Sequence, residues 1–185
     1  MIVRLLALLA APVLAAAPVP ALTPLRLQPG VNPVPNIAGD DQSGSISLDW
    51  RENGNAWGYD IFMVRVGGSI ATIGGKDLIT DQPHTGEDAI RAVRFARGTH
   101  AGKSTIFALV ADRAIGEAVP DPAVTTISIY ALVANDEGFG TPYQFVKVEE
   151  RHAKRRYCNA HNALLTELRF PLPKSFDGVR SPDGC

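Results

Sequence analysis

Apolar residues in this chain are parcelled into short runs, at 45–50, 59–66, 69–73, 76–80, 89–96, 104–111, 124–134 and 143–148, separated by Gly, Pro, Asn or Asp. The runs are rich in Ile, Val, Thr, Phe and Tyr, side chains that pack well on a pleated surface. A series of short strands with frequent turn signals predicts a mainly β fold, an antiparallel β-sandwich. The run 45–50 alternates cleanly, which puts Ile46, Leu48 and Trp50 on one face. One stretch departs from the pattern. Residues 149–168 take a helical period, with Asn159 as N-cap and Ala160, Leu164 and Leu168 on one buried face. Glu150 and Lys154 have i,i+4 spacing for a surface ion pair, and Pro171 and Pro173 end the helix. The expectation is therefore a β-sandwich with one short C-terminal α-helix.

The N-terminus assigns a compartment. Residues 1–21 place Arg4 before an apolar run and then small residues, the layout of a secretory signal peptide. The run is well short of the roughly 20 apolar residues that span a bilayer, so removal is expected, leaving no membrane span. Pro18 disfavours cleavage after Ala17 and points to Ala21. Residues 22–44, rich in Pro, Gly, Asn and Asp, read as an extended lead-in, and 45–185 as a single domain. In an exported chain, an even cysteine count predicts a disulfide between Cys158 and Cys185, pinning the C-terminus to the start of the helix. With 18 basic against 19 acidic side chains there is no broad positive surface for nucleic acid.

Chemical motifs are scarce. Residues 97–104 resemble a phosphate-binding loop, but Arg97 stands where that motif needs Gly and a strand follows where it needs a helix, so a hairpin turn is expected. His152, Cys158 and His161 do not share one helical face, and a disulfide would consume the Cys158 thiolate, so no metal is assigned. His84 and His100 read as solvated loop residues. The acidic stretch 39–44 lacks the ligand pattern of a calcium loop and reads as a turn. Lys154, Arg155 and Arg156 read as a solvated helix face. No nucleophile elbow and no zinc-hydrolase motif is present, so no catalytic residue and no cofactor is assigned, and the reading is non-enzymatic.

The most informative stretch is 50–60, Trp-Arg-Glu-Asn-Gly-Asn-Ala-Trp-Gly-Tyr-Asp. Asn53-Gly54 predicts a two-residue hairpin that sets Trp50 against Trp57, Leu48 against Tyr59 and Ile46 against Ile61, with Ser47 opposite Asp60. Arg51, Glu52 and Asp60 are unusual charges for strands. They form either a buried polar cluster or a binding surface. The candidate binding residues are Trp50, Arg51, Glu52, Asn53, Asn55 and Asp60.

These residues, together with the lead-in Leu27-Gln28-Pro29-Gly30-Val31-Asn32, Tyr157-Cys158 and the helical stretch 163–168, resemble the CarG family of carbapenem intrinsic-resistance proteins. The resemblance implies a periplasmic antiparallel β-sandwich, a homodimer that protects the cell from carbapenem without hydrolysing it. The implied function is β-lactam tolerance through binding of the drug or of a cell-wall target protein. A secreted carbohydrate-binding module, stacking sugars on Trp50, Trp57 or Tyr59, and a hydrolase with a dispersed active site are the alternatives.

Overall fold

The computed structural model describes residues 21–52, 54, 58–83, 89–118, 120–136, 138–176 and 178–185. The signal-peptide reading therefore falls almost wholly outside the described residues, as do Asn53, Asn55, Trp57 and His84.

Among the described residues, eleven strands and one helix follow in order: β1 (Thr23–Pro24), β2 (Gly30–Val34), β3 (Gly44–Arg51), β4 (Tyr59–Val66), β5 (Ser69–Ile73), β6 (Ile79–Thr80), β7 (Gln82–Pro83), β8 (Ala89–His100), β9 (Lys103–Arg113), β10 (Thr125–Ala134), β11 (Tyr143–His152) and α1 (Ala160–Leu168). The predicted apolar runs all contribute strands. The prediction of two stacked sheets needs correction. The strands lie on one hydrogen-bonded path, β1-β8-β9-β10-β11-β5-β4-β3-β2, with β6 added to β4 and β7 to β8. Its two wings are sewn together where β5 and β11 run parallel, pairing Thr72 with Gln144 and Ile73 with Phe145. That junction turns the sheet into a curled half-barrel.

The curl encloses the main core. Val34, Ile46, Phe62, Val64, Val66 and Ala71 come from one wing; Val93, Phe95, Ile106, Ala108, Val110, Leu132 and Phe145 come from the other. Phe95 sits edge-on to both Phe62 (5.3 Å) and Phe145 (6.4 Å). The outer face of β8–β10 is also covered. Ala92, Ala96, Phe107, Leu109, Ala111, Ile127, Ile129 and Ala131 pack under Ala160 and Leu164 of α1 and under Phe170. Strands buried on both faces must be apolar almost throughout, which is why 104–111 reads as a nearly continuous apolar run. The proline-rich lead-in supplies β1 and β2, the two ends of the path, where a missing N–H costs no ladder bond on the outer side.

The register of β3 and β4 differs from the prediction. Ile46 pairs with Val64, Leu48 with Phe62, Trp50 with Asp60 and Arg51 with Tyr59, while Ser47 faces Met63. The last pair of the ladder is Arg51 with Tyr59, so the ladder does not close on a two-residue turn. The observed pairing differs by an odd number of residues and so exchanges the faces of β4. It turns Phe62, Val64 and Val66 inward and leaves Arg65 exposed outside. Asp60 moves with the inner set, to the face of Trp50.

The β8–β9 hairpin is as expected. His100 pairs with Lys103, and the turn places Ala101 (φ 48) and Gly102 (φ 76) in the left-handed region. His100 itself is a half-buried strand residue, its ring edge-on to Phe107 at 6.5 Å, and not a solvated loop residue. Helix α1 starts later than predicted because residues 149–152 belong to β11, paired with β10. Glu150 consequently meets Lys147 (2.6 Å) and Ser128 (3.1 Å), and not Lys154. Lys154–Arg156 lie in the connection before α1, exposed but not on a helix. The Asn159 cap holds: its Oδ1 accepts from His161 N at 2.9 Å.

The Cys158–Cys185 disulfide is present, with Cα atoms 5.2 Å apart. The tail it anchors runs back along α1. Asn162 Nδ2 donates to Ser181 O (2.7 Å) and Val179 O (3.2 Å), Thr166 Oγ1 to Pro182 O (2.7 Å), and Cys158 N to Asp183 O (3.0 Å). Among the described residues no helix is long and apolar enough to cross a membrane.

Candidate functional site

Of the candidate residues, Trp50, Arg51, Glu52 and Asp60 lie at the end of the β3–β4 ribbon, and Asn53 and Asn55 lie outside the described residues. Trp50 closes the inner row of β3 and is 58% exposed. Gly58 sits against its indole: a Cβ there would overlap ring atoms Cζ2 and Cε2, so only glycine lets the ring lie against the backbone. Arg51 and Glu52 are exposed, and Asp60, directly across from Trp50, is half-buried. Alternation sends the Arg51 side chain to the other face from Trp50. The structure thus brings Trp50 and Asp60 together and leaves Arg51 apart.

Asp60 also leads inward to a cluster missing from the sequence reading: Asp81, Arg94 and His161. Asp81 N donates to Asp60 O at 3.0 Å. Between the β7 partner Arg91 and the β1 partner Ala96, the edge of β8 faces no strand. There the Asp81 carboxylate accepts from Val93 N at 2.5 Å. Arg94 Nη1 donates to Val93 O (2.5 Å) and Nη2 to His161 Nδ1 (2.6 Å). A guanidinium can only donate, so Nδ1 is the bare nitrogen and Nε2 carries the proton. That proton points toward Asp81 Oδ2, 3.6 Å from Nε2, too far for a hydrogen bond. The ring of Phe176, from the C-terminal tail, lies edge-on to His161 at 5.7 Å.

Burial dominates the electrostatics here. It pushes the Asp81 carboxyl up to about 7, Arg94 opposing and the like charge of Asp60 adding to the rise. It raises Asp60 as well, again against Arg94. His161 falls well below the ordinary imidazole range, because burial and then the adjacent Arg94 cation both disfavour its charged form. His161 is therefore a neutral acceptor. Its Nδ1 is occupied by Arg94, so it is not aimed at a nucleophile. Chemically the cluster is a brace tying β4, the β8 edge and α1 together beneath the rim. The accessible chemistry lies at Trp50 and Asp60: an aromatic surface beside a carboxylate acceptor, an arrangement for binding. Two arginines, Arg91 and Arg94, inside the otherwise apolar run 89–96 were the sequence signal for this cluster.

Cys158 is oxidised and His152 accompanies Thr126 at 3.2 Å, so neither joins His161. Among the described residues no group of three or more His, Cys, Asp or Glu side chains is arranged to hold a metal ion. In the 39–44 turn, Asp40 Oδ2 accepts from Tyr143 OH at 2.6 Å.

No known family's sequence profile matches the chain, and no curated protein matches it by sequence. The fold does have a solved counterpart. The crystal structure of CarG superposes with a TM-score of 0.64, covering 77% of this chain and 93% of CarG at 19% identity. At that identity the likeness is one of fold.

Proposed function

We propose that this chain is an exported CarG-like binding protein that contributes to tolerance of carbapenems and related β-lactams without hydrolysing them. The observation that carries the reading is the overlap with CarG across nearly all of that chain, joined to the Trp50-Arg51-Glu52 resemblance in sequence. The Cys158–Cys185 bridge fits an oxidising compartment such as the periplasm. The histidine beneath the rim is engaged by Arg94 and faces no nucleophile, which supports binding over bond cleavage. The bound species is the drug or a cell-wall protein, and the working unit is a homodimer.

Deleting the gene in its native host and running a β-lactam susceptibility panel tests this reading. Increased sensitivity to imipenem or meropenem, restored by the wild-type gene, is the expected result; unchanged susceptibility overturns it. Incubating purified protein with meropenem tests the non-hydrolytic part, because loss of the β-lactam absorbance would make the protein a hydrolase.

A further inference from the structure

We infer that the Trp50 rim is a stacking platform for a pyranose ring, and that its ligand is an uncharged, β-linked hexosamine glycan of the kind found in cell walls. The inference rests on the export reading above, which is what brings the chain to such a glycan. Three observations lead to it.

The first is that the indole is both exposed and fixed. At 58% exposure Trp50 presents a large apolar surface to solvent, while the backbone at Gly58 lies against the ring and sets its plane. A ring held in place before the ligand arrives loses little conformational freedom on binding. The second is the neighbour. Asp60 pairs directly with Trp50, and side chains opposite one another on a ladder lie about 4.5–5.5 Å apart at Cβ. A pyranose offers an apolar C–H face for the indole and hydroxyl donors at its edge for the carboxylate, matching both groups in one ligand.

The third is charge. Of the described charged groups at this end, Arg51 lies on the opposite face from Trp50, and the Arg94 guanidinium is held beneath the rim, hydrogen-bonded to Val93 O and His161 and set against the carboxylates of Asp60 and Asp81. Asp60 faces the platform and exposed Glu52 follows it. The groups presented there are carboxylates, with the nearby Arg94 cation turned to partners beneath, so the carboxylate of a carbapenem finds no charge partner at this particular site. A neutral sugar needs none.

The test uses the mature protein in a Trp57→Phe background, so that Trp50 is the reporting indole. Chitotetraose, meropenem and choline are titrated separately while emission is recorded, and binding heats are measured alongside. A saturable change with chitotetraose at millimolar concentration, absent with the other two, is the expected result. Trp50→Ala weakens chitotetraose binding by about tenfold or more in the calorimeter. Gly58→Ala does the same while keeping the indole, because the new methyl displaces the ring. Phe139→Ser, at an exposed loop between β10 and β11, leaves binding unchanged. The inference is overturned by no response to chitotetraose, by equal binding in Trp50→Ala, by a response to meropenem or choline instead, or by an emission change that tracks protein concentration without sugar. These outcomes are independent of the deletion strain's susceptibility, so the glycan inference and the tolerance reading fail separately.

Discussion

Asp81 makes the stability of this protein depend on pH in a definite direction. In the unfolded chain its carboxyl ionises near the ordinary 3.8, and in the fold at about 7. Between those values the folded state keeps a proton that the unfolded state has released. The stabilisation is therefore complete below the lower value and is lost as pH rises through about 7. Asp60, also raised, acts in the same sense. His161, held neutral, acts oppositely, its contribution being present above about 6.5 and lost as pH falls through its depressed value. Measured against Asp81→Asn, which keeps an oxygen for Val93 N and removes only this titration, the wild-type denaturant midpoint should therefore fall as pH rises from about 4 to about 7 and change no further above that. A difference between the two proteins that does not vary with pH over this range would contradict the assignment. At this scale the sequence was only partly legible. Asp60 stood out as a charge in a strand, but its role depended on which face of β4 turns inward. Asp81, Arg94 and His161 lie far apart in the chain, and only the wrapping of α1 and the 79–83 segment around the β8 edge assembles them.

The elements separate into those decided locally and those decided by packing. Helix α1 was readable because its signals are local: the Asn159 cap and the spacing of Ala160, Leu164 and Leu168. Asn159→Ala should cost about 1 kcal/mol or more of unfolding free energy through the lost cap, measurable by urea denaturation. The stretch 149–152 was misread because charge spacing says nothing about a neighbouring strand, and β10 captured it. The β3–β4 turn failed for a related reason. Asn53-Gly54 is a good tight-turn pair, yet a two-residue turn would have put Arg65 on the inner face and Val64 outside it. Burying three apolar side chains outweighs a local turn preference. The disulfide was legible from cysteine count and compartment alone. It joins residues 27 apart, and by chain entropy its reduction should remove roughly 3–4 kcal/mol. Comparing urea midpoints with and without a thiol reductant checks this, and an unchanged midpoint would mean that the tail holds without it.

For the molecule as a whole, the mainly β character with a single terminal helix was legible, and the sandwich was not. A half-barrel and a sandwich share the same strand lengths and alternation. What distinguishes them is a two-residue parallel contact between β5 and β11, and nothing local marks such a contact. Hydrogen exchange should report the resulting gradient of protection. Amides in β8–β10, covered on both faces, should exchange slowest, and those of β1 and β2 fastest; similar rates throughout would contradict the architecture. The same pairing list bears on how the polypeptide is made. Thr23 finds its partner at Arg97, and the wings are joined only when β11 arrives. An emerging N-terminal half can therefore complete neither the outer edge at β1 nor the seam at β5. Such dependence on distant partners slows collapse into the native form. A nascent chain that remains unfolded until almost its last residues appear is one that a translocation channel can still thread.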